Sequence, residues 1–347
     1  MADPIAGKAP PDSPAPRARW WLPSGPVLGL AAILLIFAVL IFLKDGAWGL
    51  RSFVGLRNWQ VIVHEGTITA VIALGSLLII ISGGIDLSVG SVVALVTVVT
   101  MLAYAAVFRQ TGSTTWASLA AVPVGVLVGG GCGLANGLVI TGLRVSPFVT
   151  TLGMLSIARG AALWLAERKA IDFPRGVRPG WVKAVTQVHA GATVFNPGFW
   201  SLAGLAVAVA VLLRYLVLGR YAYAIGSSEP TARLCGVPIA RTKIVIYTLA
   251  GLLTGWAGVL RFASVGGDPS GSVGLELEVI AAVVIGGASL TGGRGTVGGT
   301  LIGVLILGLL LNGVRLLDMP VDIRYILIGA VIIVSTAMSR LRGQAME

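Results

Sequence analysis

Asp86 stands among glycines between two long apolar runs, in the stretch Ser82-Gly83-Gly84-Ile85-Asp86-Leu87-Ser88-Val89-Gly90. A second stretch, Gly286-Gly287-Ala288-Ser289-Leu290-Thr291-Gly292-Gly293, repeats the frame. Gly83 and Gly84 match Gly286 and Gly287, Leu87 matches Leu290, Ser88 matches Thr291, Gly90 matches Gly293, and Ser289 stands in the place of Asp86. Backbone can leave the helix at membrane depth only where protein or water covers it. Two polar, glycine-broken segments at corresponding places in two apolar halves therefore point to a path for a solute. The same residues also suit a pair of tight cytoplasmic turns in which Asp86 caps the following helix. Spacing alone leaves both readings open.

Bond-making chemistry finds no comparable constellation. The phosphate-cradling pattern G-x-x-x-x-G-K-[ST] is absent, because the only Gly-Lys pair, Gly7-Lys8, is followed by Ala9. The two histidines, His64 and His189, lie far apart and in neither an H-E-x-x-H nor a triad-like setting. Cys132 and Cys235 are separated, so neither a disulfide framework nor a C-x-x-C metal site is on offer. Catalytic residues, metal ligands and a cofactor are not expected, and the chain does not read as an enzyme.

The surroundings of these residues are apolar. Of 347 residues, 56% are hydrophobic and 11% charged, with a mean hydropathy of +0.93, whereas a soluble domain carries about 25% charged residues. The chain reads as an all-α, polytopic integral membrane protein in contact with lipid. Its formal charge of +11 invites a nucleic-acid partner. The basic residues, however, fall singly between apolar runs without interleaved aromatics, so no nucleic acid is expected.

Apolar runs at 27–43, 61–81, 87–107, 119–140, 147–166, 201–218, 244–260, 275–285, 301–311 and 326–338 predict about ten spans. The first exceeds a usual signal-peptide core and lacks a clear cleavage site, so it reads as a retained helix. Residues 1–24, with Lys8, Arg17 and Arg19, read as a disordered basic cytoplasmic arm, 25–341 as one transmembrane domain, and 342–347 as a cytoplasmic tail. An even count puts both ends on one side, and their arginines place that side in the cytoplasm. Arg144, Arg220, Arg233, Arg241 and Lys243 then lie inside as well. Residues 167–199 fall outside despite five basic residues, Arg168, Lys169, Arg175, Arg178 and Lys183. That conflict with the charge rule requires either a different count or a use for these charges on the far side.

Within the spans, Gly125, Gly129, Gly133 and Gly137 share one helical face, which lets another helix approach closely. Asn136, on the neighbouring face, marks either a polar path or an interhelical hydrogen bond. Arg159 must be paired or face water. In the polar stretch 219–243, Ser228 suits a helix cap, Glu229 the positive helix end, Pro230 the first turn, and Gly236 a left-handed stop. So short a helix is marginal alone. It is either held by a partner, to which Arg233, Ala232 and Leu234 offer charged and apolar faces, or an ordinary basic connection.

Four separate motifs carry a resemblance: Ser82 to Gly90; Pro147-Phe148-Val149-Thr150-Thr151-Leu152-Gly153; Ala224-Ile225-Gly226 through Gly236-Val237; and Ala282-Val283-Val284-Ile285-Gly286-Gly287 with Ser289-Leu290 and Gly292-Gly293. In this order, over about 61–340, they resemble the permease subunits of ribose-type bacterial ABC sugar importers, within the branched-chain-type permease superfamily. The resemblance implies a homodimer in the bacterial inner membrane that moves a monosaccharide inward. Its partners would be a cytoplasmic ABC ATPase, which hydrolyses the ATP, and a periplasmic sugar-binding protein. Asp86, Ser88, Asn136, Ser289 and Thr291 would then lie at or beside the translocation path. Glu229, Thr231, Ala232, Arg233, Leu234 and Gly236 would form the coupling helix, and Arg175, Arg178 and Lys183 would dock the binding protein. Ser227-Ser228, where Asn is usual before the Glu, and Cys235, where Ser is common, depart from the pattern near the ATPase contact. A branched-chain amino-acid permease, a secondary transporter and a passive facilitator remain alternatives.

Overall fold

The protein is described by a computed structural model over residues 25–174, 177–186, 196–320, 322–323, 326–330 and 333. It is all-helical: α1 Gly25–Val54, α2 Leu56–Ile81, α3 Val89–Thr111, α4 Thr114–Gly142, α5 Pro147–Leu165, α6 Gly180–Thr186, α7 Pro197–Tyr215, α8 Val217–Ser227, α9 Glu229–Leu234, α10 Ile239–Val265, α11 Leu275–Ile285 and α12 Val297–Leu316. Among the described residues eight helices (α1 to α5, α7, α10 and α12) are long and apolar enough to cross a membrane, where the sequence predicts about ten spans. The difference has two sources. At 11 residues, α11 is only about 17 Å long, roughly half a hydrocarbon core. The run 326–338 lies largely outside the described residues, as do the arm 1–24, the tail 342–347, Arg175 and the side chain of Lys183.

The bundle is built around α10, which packs along α4, α2 and α3. The contact with α4 is made by backbone. A Cβ on Gly129 would meet Gly251 and Gly255, one on Gly133 would meet Tyr247 and Gly251, and one on Gly137 would meet Ile244. The glycine face of α4 therefore lies on α10, with reciprocal glycines at the same four-residue spacing, the arrangement by which membrane helices gain contact without a hydrophobic drive. On its other sides α10 covers α2, whose residues from Ala70 to Ile81 are buried without interruption.

The two ends of the bundle differ. At one end, Ile171 and Gly267 exchange backbone hydrogen bonds of 2.8 and 2.9 Å, and Arg159 donates to the carbonyls of Pro269 and Gly271 at 3.0 and 2.9 Å. Its charge is thus spent on loop carbonyls. Tyr104, Phe108, Phe173 and Phe262 stack beneath this loop, and Trp181 of α6 donates to Ser118. The opposite end carries α8, α9 and the α4–α5 connection. The basic residues Arg168, Lys169 and Arg178 and the basic segment around α9 thus occupy opposite ends of the same bundle.

This seam makes a differential prediction. Gly133→Val places side-chain atoms against backbone and is expected to destabilise by about 1–3 kcal/mol. Gly131→Val enters open space and is expected to change stability by about 0.5 kcal/mol or less. Thermal unfolding of the two detergent-solubilised variants decides it, and equal melting points would remove the seam from the account.

Candidate functional site

The first glycine segment begins where α2 stops. Gly83 has φ +80, and its N–H and that of Gly84 donate to Ile80 and Ile79 at 3.0 Å each. This is the left-handed cap that glycine adopts without a Cβ penalty. Gly84 lies against the Tyr247 hydroxyl and Ile79, leaving no space for a side chain. Chain outside a helix must find partners for its amides, and Thr151 of α5 supplies two. Its hydroxyl accepts from Leu87 N and donates to Ile85 O, both at 3.2 Å.

Asp86 turns the chain into α3. Its Oδ1 accepts from Ser88 N at 2.8 Å and from Ser88 Oγ at 2.6 Å. Because the serine hydroxyl donates to the carboxylate, its oxygen is left to accept from Asn136 Nδ2 at 3.3 Å. A chain of donors therefore runs from the α4 amide through Ser88 to the carboxylate, which sits at the positive end of α3. Asn136 Oδ1 and the Tyr247 hydroxyl are buried nearby and have no hydrogen-bond partner among the described residues. Glu276 of α11 lies against Gly90 in the first turn of α3, which puts a second carboxylate beside this segment.

The second segment reproduces part of this. The N–H groups of Gly287, at φ +92, and Ala288 donate to Val284 and Val283 at 2.9 and 3.1 Å, the same cap as at Gly83 and Gly84. Ser289 Oγ accepts from Thr291 N at 3.3 Å and pairs with Thr291 Oγ1 at 2.7 Å, as Asp86 does with Ser88. The sequence register holds at these side-chain turns, whereas at the helix end it is displaced: Gly83 corresponds in conformation to Gly287, one residue beyond Gly286. The segments then diverge. Gly90 is already inside α3, but Gly292 and Gly293 have φ +92 and +72, and α12 starts only after Thr296, whose hydroxyl caps Gly299 N at 3.1 Å.

Of the five residues expected along a path, Asp86, Ser88 and Asn136 form one hydrogen-bonded set, and Ser289 and Thr291 form another. The segments themselves meet through backbone. Gly293 N donates to Ile81 O at 2.9 Å, and Gly292 lies on Gly83 and on Gly226 of α8. Sequence reading passed over Thr151 and Glu276, although a threonine pair at the start of an otherwise apolar span and a carboxylate beside one were the available signals.

From Gly226 the chain runs into α9, which has the expected local build. Ser228 Oγ accepts from Thr231 N at 3.4 Å, and Gly236, at φ +80, ends the helix with its N–H on Arg233 O at 3.1 Å. One expectation is corrected. Ala232 does not present an outward apolar face, because it is buried against Ile225 and Ile239. Leu234, at 89% exposure, points outward with Arg233. Glu229 holds α9 to α10 through Lys243 at 2.6 Å and pairs with Arg233 at 3.2 Å. Arg178, also expected at a docking surface, is exposed at the other end, over the ring of Phe173 at 5.5 Å.

Eight long apolar helices whose polar groups answer one another across the bundle define a multi-pass membrane protein. The chain belongs to the family described as branched-chain amino acid transport system / permease component, which matches residues 60–336. It is 32% identical over 325 residues to an L-arabinose ABC transporter permease protein of Azospirillum brasilense, covering 91% of this chain and 89% of the relative. It is 32% identical over 294 residues to the ribose import permease protein of Escherichia coli K12, covering 84% and 86%. A fructose import permease protein of Rhizobium meliloti is 32% identical over 321 residues, covering 89% and 85%. No solved structure matches the chain. The family is one of transport subunits and is not itself catalytic.

The ion pairs of Glu229 give a pH prediction. The hydrogen bond from Lys243 holds the carboxyl below its ordinary 4.5, aided by Arg233 and opposed by partial burial. A carboxylate with a lowered folded value stabilises the fold above its unfolded value and loses that contribution as pH falls through the folded one. The side chain is 39% exposed, so solvent screening keeps the effect small. The stability advantage of the native chain over Glu229→Gln is expected to be level from neutral pH to about 5 and to shrink as the pH falls below the ordinary 4.5. Unfolding followed across that range checks it, and a gap that widens on acidification would contradict the assignment.

Proposed function

We propose that this chain is the permease subunit of an ATP-driven importer carrying a monosaccharide from periplasm to cytoplasm. One observation carries the coupling: α8 joins α9 to both glycine segments. Gly226 lies on Ile81 and Gly293, and Tyr223 donates to Gly295 O at 2.8 Å. A displacement of α9 by an ATPase subunit therefore reaches the place where the two segments meet. The class of solute rests on the relatives named for arabinose, ribose and fructose. It is supported by the carboxylate, hydroxyl, amide and phenol groups around Asp86, which are suited to exchanging hydrogen bonds with a polyhydroxylated molecule.

In this reading the segments at 82–88 and 286–296 break the membrane path at two related positions. Asp86, Ser88, Asn136, Ser289 and Thr291 line or gate it, in a homodimer of the bacterial inner membrane. Glu229 to Leu234 with Gly236 is the coupling helix, now presenting Thr231, Arg233 and Leu234. Both termini and the α9 end face the cytoplasm, in keeping with the basic residues there. The opposite end, which carries Arg178, meets the sugar-binding protein, a contact in which Arg175 and Lys183 are proposed to share. The family description favours a second reading, a branched-chain amino-acid permease.

Proteoliposomes holding the permease, its ATPase and its binding protein, supplied with a panel of labelled pentoses, hexoses and leucine, test the proposal. ATP-dependent uptake of a monosaccharide is expected, falling roughly tenfold or more in Asp86→Ala, a barrier increase of about 1.4 kcal/mol. Gly236→Val forces a β-branched residue into the left-handed state. It is expected to abolish sugar-stimulated ATP hydrolysis while the permease still inserts. Full coupling in that variant, or with residues 229–234 replaced by a Gly/Ser linker, would refute the role of α9. Import of leucine in place of any sugar would decide for the second reading.

A further inference from the structure

Beside α9 a cavity of about 650 Å³ opens between the α4–α5 and α9–α10 connections. Its charged lining is Arg144, Arg233, Arg241 and Lys243 against one acid, Glu229. Glu229 is engaged by Lys243 and Arg233, so Arg144 and Arg241 carry neither an ion pair nor a hydrogen bond among the described residues. No side chain caps the first turn of α10 at the cavity wall, which adds to the positive potential. The site is therefore built to attract an anion: four cations face one carboxylate, and two of them, Arg144 and Arg241, have no ion-pair partner among the described residues.

Its position selects the anion. The last turn of α4 and the first turns of α5 and α10 form the wall, which is the depth at which hydrocarbon gives way to headgroups. Directly beside the basic lining, Leu143, Phe148, Val149 and Val245 are exposed apolar side chains. A ligand seated here meets cations at one end and hydrocarbon at the other. Free phosphate uses only the first of these, whereas an anionic phospholipid uses both. We propose that this cavity binds the headgroup phosphate of an anionic phospholipid, with its acyl chains along Phe148, Val149 and Val245. Basic pockets between transmembrane helices on the cytoplasmic side bind such headgroups in general. The cytoplasmic placement rests on the orientation given under the proposed function, while the charge and the apolar rim do not. Because Glu229, Arg233 and Lys243 belong to both the cavity wall and the α9 attachment, an occupied site would brace the coupling helix.

The test uses the purified full-length permease alone, in nanodiscs and in detergent, without ATPase or sugar, so that a failed transport assignment cannot imitate a negative result. Lipids retained from mixtures of phosphatidylglycerol, cardiolipin and phosphatidylcholine are measured by native mass spectrometry. The native chain is expected to retain the anionic lipids selectively. Arg144→Gln/Arg241→Gln is expected to bind them about thirtyfold more weakly, the effect of removing two of the arginines that face the headgroup. Arg144→Lys/Arg241→Lys should keep most of the affinity, which separates loss of charge from loss of fold. Arg57→Gln/Arg109→Gln, exposed and at the opposite end, serves as the charge-matched control and should behave as the native chain does. Unchanged lipid retention in the Arg144/Arg241 glutamine variant, an equal loss in the control, or displacement of the lipid by millimolar inorganic phosphate would overturn the proposal.

Discussion

An amide that leaves a helix inside an apolar bundle has little water to turn to, and the conformation of the segment after Ile81 follows from that constraint. The amides of Gly83 and Gly84 are taken up by the carbonyls of Ile80 and Ile79 at the cap, that of Leu87 by Thr151, and that of Ser88 by the carboxylate of Asp86 at the start of α3. A buried polar group left unsatisfied costs several kcal/mol. The segment is therefore confined to routes on which those partners are present. Thr151 is as much a part of its structure as the glycines are, although it stands more than sixty residues away. The same constraint explains Arg159, whose guanidinium is tolerated because two loop carbonyls at the bundle end accept from it.

Much of the helical framework was legible because apolar runs of membrane length admit few alternatives. Where polar residues cap a helix, the runs fell short of it: 244–260 became Ile239–Val265 and 301–311 became Val297–Leu316. The stretch 219–227 read as loop because Arg220, Tyr221 and the serines break its hydrophobicity, yet it is α8, a helix with one buried side carrying Gly219, Ala222 and Ile225. Its order comes from packing against the glycine segments, which no local pattern encodes. The repeat was visible in the side chains that make the turns, Asp86 with Ser88 and Ser289 with Thr291. Its offset at the helix end was not, because consecutive glycines do not reveal which of them takes the left-handed state.

The candidate site divides in the same manner. Asp86, Ser88 and Asn136 could be picked out as polar groups in apolar surroundings, and they are joined in the fold. The inward turn of Ala232 could not be read, since a six-residue helix has no period long enough to say which side faces the protein. What links the site to α9 is backbone on backbone at Gly83, Gly226, Gly292 and Gly293. Sequence shows those residues as small and says nothing of what they touch.

The seam between α4 and α10 has a mechanical consequence. Where helices meet through long side chains, rotamers can change and the pair can slide in small steps. Here Gly129, Gly133, Gly251 and Gly255 put main chain against main chain, with no torsions to absorb a shift. Displacement by a single residue would drive Val126, Val128 or Leu252 into the opposing backbone. The two helices are thus restricted to one register and must travel as a single strut. Any change of shape during a cycle then falls on the joints at either side of it, the chain after Ile81 and the long glycine-rich approach to α12.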